Sequence, residues 1–284
     1  NNGNYPGVQE YIYRGIVNLP MACTDWVFSF SLCCRNAAIT NINNPGGQNI
    51  YIESTLNNLN YPCDNSPVFS NRPIPYVCVG QNFCYNNGAT DPDGDSLSFQ
   101  LITPMTAPAT PVTYVNPYSA QQPLASNPAV TFNPVTGDMC MTPTQLQVTV
   151  VAVLVTEWRG GNVVGTVIRD VQLQTMNCTN NVPYIDGING TNIYTMNACA
   201  GQPISFFTNS YDPDNGQIVT LTWNNGIPNA TFTVTGGPLP VGTFNWTPTV
   251  NDISQIPHCF TVTVQDNNCP YNGSQTYSFC ITVG

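Results

Sequence analysis

Phe260-Thr261-Val262-Thr263-Val264 and Tyr277-Ser278-Phe279-Cys280-Ile281-Thr282-Val283 alternate apolar and polar side chains with a period of two. That period sets one face of a strand on a core and the other in water. Upstream, Val148 to Val155 is apolar on both faces, as a central strand is. Between such runs fall 22 glycines and 25 prolines, while Thr, Val, Ile, Tyr and Phe dominate the periodic stretches, so helices have almost no room. The chain reads as all-β.

Laying the middle of the chain over its end exposes a repeat. Cys78-Val79-Gly80-Gln81 matches Cys199-Ala200-Gly201-Gln202, and Thr90-Asp91-Pro92-Asp93 matches Tyr211-Asp212-Pro213-Asp214, both at an offset of 121. Gly137 to Pro143 matches Gly242 to Pro248 at an offset of 105, so the first copy carries 16 extra residues. They fall in the Pro-, Ala- and Thr-rich stretch 103–128, which reads as an enlarged loop, either a contact surface or an insertion packed against the neighbouring domain. Each copy ends in two strand-like runs: Gln147 to Val155 and Val163 to Thr175, then Cys259 to Gln265 and Gln275 to Val283. Short strands between turn residues, about 100 residues per copy, describe tandem immunoglobulin-like β-sandwiches. The expected domains are 65–180 and 181–284. Residues 1–64 match neither copy but carry strand-like runs at 8–19, 25–34 and 50–56. Three strands can barely bury a face of their own, so the segment reads as the C-terminal part of a preceding domain.

Charge is scarce. Only 7% of residues are charged, lysine is absent, the five cations are Arg14, Arg35, Arg72, Arg159 and Arg169, and the net charge is −10. Nucleic-acid binding and anionic-membrane binding need clustered positive charge, and this sequence does not supply it. Polarity comes instead from 37 asparagines with Thr, Ser and Gln. No apolar run approaches the roughly 20 residues that span a bilayer as a helix. Twelve cysteines without metal-type spacing point to an oxidising compartment outside the cell. The chain opens at Asn1 without a leader, and the expectation is that an export signal has been removed or lies upstream.

The chemistry of the sequence lies in its acidic turns and its cysteines. Asp91, Asp93 and Asp95 alternate through a Pro/Gly turn, so their carboxylates converge and repel unless a hard cation such as Ca²⁺ collects them. The spacing is not that of an EF-hand, and Asp64 or Asn65 at the preceding boundary are expected to add ligands. Asp212 and Asp214 remain in the second copy, but Gly216 stands in the place of the third carboxylate, which predicts a weaker or empty site. The competing reading is a plain β-turn whose Asp side chains cap backbone donors. Cys84 and Cys140 align with Ser205 and Asn245, a joint loss that a Cys84–Cys140 bridge explains. Cys259 and Cys280 sit on the two final strands and are expected to face each other. Cys78 with Cys178 is a weaker pairing, as is Cys199 with Cys269 or with a cysteine beyond Gly284. Nothing pairs Cys23, Cys33, Cys34 and Cys63.

Thr90 to Leu97, followed by Phe132 to Gly137 and Thr142-Pro143, resembles bacterial cadherin-like and Ig-like tandem repeats. Cys23 to Asn41, with Asn71-Arg72-Pro73-Ile74-Pro75-Tyr76, looks like very long surface proteins of Bacteroidetes, among them gliding-motility adhesins exported by the type IX secretion system. The resemblance implies a disulfide-stapled repeat segment of a surface fibre or adhesin. Its implied partners are neighbouring repeats, surface glycans or other cell-surface proteins, and the type IX machinery during export. Asp95-Ser96-Leu97 also resembles the O-glycosylation motif of that phylum, and a sugar on Ser96 would crowd a calcium turn.

The rival function is a secreted carbohydrate-binding or accessory module, suggested by Trp223, Phe244 and Trp246. At alternating strand positions, however, such aromatics are usually core. Catalysis finds little support: His258 is the single histidine, and neither a nucleophile elbow nor a phosphate loop occurs. Asn177, Asn189, Asn229, Asn245 and Asn272 begin N-x-Ser/Thr triplets, which an Asn- and Thr-rich chain generates by chance.

Overall fold

The computed structural model describes residues 9–73, 76–269 and 271–284. The alternating runs form strands. The longest are the paired Val148–Arg159 and Asn162–Met176 in the first copy, and Ser254–Gln265 and Ser274–Val283 in the second. Among the described residues the helices are three single turns of 3-10 type.

In the first sandwich, Val148–Arg159 lies between Ser96–Ile102 and Asn162–Met176 in an eight-stranded sheet. A three-stranded sheet of Thr131–Phe132, Met139–Met141 and Phe83–Tyr85 packs against it. Val151, Val153, Val155 and Leu173 meet Phe83, Met139 and Met141 in the core between them. The second sandwich pairs two four-stranded sheets around Phe206, Phe244, Phe260 and Phe279, whose rings stack at centroid distances of 4.5 to 6.4 Å. Aromatic pairs at this spacing add to what area burial alone supplies.

The segment 1–64, read from sequence as the tail of a preceding domain, has two strands within 26–56 that share a sheet with the middle of the chain. Trp26–Leu32 pairs with Ile50–Leu56, which pairs in turn with Asn162–Met176 through Leu56–Gly165, Thr55–Thr166 and Ser54–Val167. Arg35, 4% exposed, makes a two-pronged ion pair with Asp170 at 2.9 and 2.8 Å and donates to the Met105 carbonyl. Two strands too few to bury a face of their own gain one by joining this sheet. The run at 8–19 forms no strand over its described residues 9–19. Most of its apolar side chains are exposed, Ile16 at 98%, although Tyr13 meets Phe30 at a ring-centroid distance of 5.6 Å. The stretch 103–128 is more structured than a loop: it carries strands Met105–Ala107 and Thr110–Pro111 and buries Val112 against Ile39, Ile42 and Val150. Asn41, fully buried, locks this contact by donating to the Pro123 and Val150 carbonyls and accepting from the Val150 amide.

The two sandwiches meet along a polar seam. Ser278 donates to Asp138 at 2.7 Å, Asn71 exchanges hydrogen bonds with Thr263 and Thr276, and the Tyr271 hydroxyl donates to the Tyr76 carbonyl. Beneath it Cys78, Val182 and Tyr271 form a small apolar cluster.

Candidate metal centre and disulfide staples

The acidic turn of the first copy closes on itself before it reaches any ion. Asp91 Oδ1 accepts from the amides of Asp93 and Asp95 at 2.9 and 3.0 Å, as an Asx turn does. Gly94 follows at φ +86°, a left-handed conformation that glycine adopts without strain. Asp93 is turned outward: Asn65 donates to both of its oxygens, from the backbone at 2.6 Å and from the side chain at 2.8 Å. These bonds hold its carboxyl below the usual range, with Arg159 adding to the effect. The three aspartates therefore differ in what they hold: Asp91 caps the turn, Asp93 takes Asn65 and Asp95 takes Arg159.

A second group of carboxylates arrives from elsewhere in the chain. Asp64, Asp95 and Glu157 each place an oxygen within 4.8 Å of the others. Antiparallel pairing sets Glu157 opposite Leu97, just beyond the turn, and a register shift follows it between Glu157 and Trp158. Its cross-strand partner is Gly165, where an added Cβ would stand 3.0 Å from Glu157 Oε2 and 2.9 Å from the Thr55 carbonyl oxygen. That glycine makes room for the carboxylate. Glu157 is 1% exposed and no N–H or hydroxyl donor reaches its oxygens, so its carboxyl pairs only with that of Asp64; Asp91 Oδ2 is buried and unpartnered. Burial, then the Asp64 and Asp91 charges, push the Glu157 carboxyl up to about 8. Burial also raises Asp64 and Asp91, opposed at Asp64 by Arg159 and at Asp91 by the turn amides.

Arg159 is the local counter-charge. Its Nε and Nη2 grip both Asp95 oxygens at 2.7 Å, and Nη2 also reaches Asp64 at 2.8 Å and Asp93 at 3.4 Å. One guanidinium cannot neutralise five carboxylates, and it touches neither Glu157 nor the free Asp91 oxygen. Orphaned buried oxygens are costly unless neutralised by protons or by a cation. The donor set is oxygen only, which suits a hard divalent ion rather than a thiophilic one. The cluster of Asp64, Asp95 and Glu157 can coordinate a divalent ion.

The second turn has the same frame with different occupants. Asn181 clamps Asp214 at 2.6 and 2.8 Å as Asn65 clamps Asp93, and Asp212 Oδ1 accepts from the Asp214 amide at 2.8 Å. Asn180 stands one residue before Asn181, as Asp64 does before Asn65. It donates to Asp266, whose oxygens also accept from the Asn268 and Gly273 amides. Gln217 bridges Asn180 and Asp214. Asp212 Oδ2 alone among these carboxylate oxygens is buried and unpartnered.

Three disulfides join separated cysteines: Cys78–Cys178, Cys84–Cys140 and Cys259–Cys280. The latter two lie at directly opposed cross-strand positions. Ser205 and Asn245 oppose each other in the same way in the second copy. Adjacent Cys33 and Cys34 are also bonded, while Cys23, Cys63, Cys199 and Cys269 are free. Bridges across separated strands belong to an oxidising, extracellular setting. No helix among the described residues is long and apolar enough to cross a membrane.

Ser96, the first residue of the Ser96–Ile102 strand, is half-buried opposite Trp158. Phe244 and Trp246 are buried, and Trp223 packs on Phe232, Phe244 and Phe260, so these rings form core rather than an exposed strip. His258 sits edge-on to Trp246 with Nε2 2.8 Å from the Asp252 carbonyl oxygen, and no catalytic arrangement is built on it among the described residues.

No protein-family model matches the chain, and no curated protein sequence matches it. Among solved structures it is similar to the Dpr2 Ig1-Ig2 protein crystallised with DIP-Theta Ig1-Ig3, at 11% identity and a TM-score of 0.29, covering 78% of this chain and 99% of that one. It is also similar to protocadherin gamma B2 cadherin domains 3-6, at 12% identity, a TM-score of 0.28 and 77% coverage of this chain. A third is the zebrafish RET cadherin-like domains 1 to 4, at 12% identity, a TM-score of 0.25 and 75% coverage. The chain spans 47% and 48% of the length of these two cadherin structures. Likeness of this size says nothing of what the chain binds; the sandwich architecture rests on its own strand order.

Proposed function

We propose that this chain is a non-catalytic, load-bearing repeat segment of an extracellular surface fibre or adhesin, stiffened by Ca²⁺ at the acidic turn of its first sandwich. The observation that carries the reading is Glu157, a buried carboxyl that no N–H or hydroxyl donor reaches, paired only with the Asp64 carboxyl and close to Asp95 and the Asp91 charge. Ca²⁺ takes six to eight oxygens, so Asp64, Asp91, Asp95 and Glu157 would hold it with carbonyls and water completing the shell. Asp93 and Asp214 serve as clamps for the preceding linkers, and Asp212 has too few charged neighbours to hold an ion tightly. Asp64 belongs to the segment that precedes the turn, so the ion ties incoming chain to sandwich.

The remaining features serve the same end. Disulfides and a bound ion both make unfolding under load costlier. The polar seam limits how the sandwiches move against each other. Units at 65–180 and 181–284, with 1–64 joined to the first, belong to this proposal. So does placement among Bacteroidetes adhesins of the type IX route, acting in gliding or attachment, which the Cys23 to Asn41 resemblance supports. Pulling single molecules with and without Ca²⁺ tests the mechanical reading. The first sandwich should unfold at higher force with the ion, and an identical force distribution would remove the stiffening role.

A further inference from the structure

The repeated Cys-x-Gly-Gln motif is occupied in one copy and open in the other. In the first, Cys78 is bonded to Cys178, and the Gln81 side chain grips the same passing segment, donating to the Asn180 carbonyl at 2.8 Å and accepting from the Val182 amide at 2.9 Å. One thiol and one amide thus fasten the linker that leads from the first sandwich into the second. In the second copy the loop has the same build. Gly201 at φ +80° matches Gly80 at +77°, and its amide donates to the Pro248 carbonyl at 2.7 Å as Gly80 does to Pro143 at 2.8 Å. Yet Cys199 is free and exposed, and the Gln202 side chain is exposed with no hydrogen-bond partner among the described residues.

We propose that Cys199–Gln202 is a socket for an extended, cysteine-bearing segment, and that its occupant is the linker into a following repeat. Register says where the matching cysteine belongs. Val79 donates to the Met176 carbonyl and Ala200 to the Gly284 carbonyl, each at 3.0 Å, so Gly284 holds the place of Met176. Cys178 lies two residues past Met176, so the proposal places the corresponding cysteine two residues beyond the position of Gly284. Its carbonyl and amide contacts to Gln202 would follow two and four residues later, as Asn180 and Val182 follow Cys178. Bond formation joins two thiols, and their two electrons and two protons pass to a disulfide oxidant, protein or small molecule, which leaves as dithiol. The proposal rests on the repeat reading of the chain and is independent of any metal.

The test uses the whole chain and a peptide of residues 176–184, its cysteine activated as a thiopyridyl mixed disulfide. The Cys199 thiolate attacks the peptide sulfur and releases thiopyridone. Mass spectrometry then reads the rate of coupling at each free cysteine. Docking should raise the local concentration of peptide sulfur, so Cys199 should couple about tenfold faster than Cys63 or Cys269, and about tenfold faster than with a scrambled peptide. Gln202→Ala, an exposed change that leaves the fold intact, should abolish the preference for the native peptide order. Equal rates at the three thiols, indifference to peptide order or to Gln202→Ala, or Cys199–Cys199 dimers forming in place of the peptide adduct would each overturn the proposal. Added Ca²⁺ should not alter the coupling, which separates this result from the metal reading.

Discussion

The two sandwiches carry the same acidic turn and solve its electrostatics differently. In the first, Asp64, Asp93 and Asp95 share one guanidinium, while Glu157 and an oxygen of Asp91 are reached by no N–H or hydroxyl donor. In the second, Asn180 stands where Asp64 would, Gln217 bridges the turn, and Asp266 is satisfied by neutral N–H donors. The turn motif alone does not gather a carboxylate cluster. What decides it is the residue delivered by the strand across the sheet and the residue delivered by the preceding linker. The sandwiches also differ in support: only the first is buttressed by residues 26–56.

Cutting that buttress should give the largest effect. Arg35→Ala leaves Asp170 buried and unpaired, a loss of about 3–5 kcal/mol. Hydrogen exchange resolved by segment should show faster opening of Asn162–Met176 while Ser254–Gln265 is unchanged. Uniform loss across both sandwiches would mean that they unfold as one unit.

Next come the staples. Serine replacements of Cys84 and Cys140, or of Cys259 and Cys280, should each cost about 2–4 kcal/mol. The sequence separations are 56 and 21, and loop-closure entropy makes the first pair worth about 1 kcal/mol more. Chemical denaturation of the two double variants measures the difference. Ser205→Cys with Asn245→Cys should form a bridge without reductant, because those residues already oppose each other.

The pH dependence of the metal-free protein is a smaller effect. The folded Glu157 carboxyl titrates near 8 against an ordinary 4.5, so the folded state holds an extra proton between those values. Its contribution to stability is complete below about 4.5 and is lost as pH rises to about 8. A cation bound to the ionised carboxylate should flatten that decline, and its affinity should rise with pH over the same window. Melting temperatures from pH 5 to 9, with metal and with chelator, check both slopes. The smallest effect belongs to the second turn: Asp214→Asn should leave any metal response unchanged, as read by the Ca²⁺-induced shift in melting temperature.

The strands and the repeat could be read from period and spacing because those signals are local. Cys84 and Cys140 were readable as a pair because one copy lost both. Asp91, Asp93 and Asp95 stood out as a turn, but their division into turn cap, linker clamp and member of the carboxylate cluster depends on Asn65, Glu157 and Arg159, which antiparallel register and the incoming linker bring to it. Glu157 follows the apolar run Val148 to Val155 and resembles a strand's exposed end. The useful signal was its rarity, one acid two residues before one of only five arginines. The partner of Ile50–Leu56 was equally hidden, since alternation shows that a strand exists but not which edge it joins.

The most direct measurement is calorimetric melting at pH 8 under non-reducing conditions, with millimolar Ca²⁺ and then with chelator, on the native chain and on Glu157→Gln. At a free ion concentration about 100 times the dissociation constant, binding stabilises by about 2.7 kcal/mol. The native first sandwich should therefore melt several degrees higher with Ca²⁺. Glu157→Gln should melt above the native chain in chelator and respond little to the ion. Equal melts with and without Ca²⁺ for the native chain, or an undiminished Ca²⁺ response in Glu157→Gln, would contradict the account.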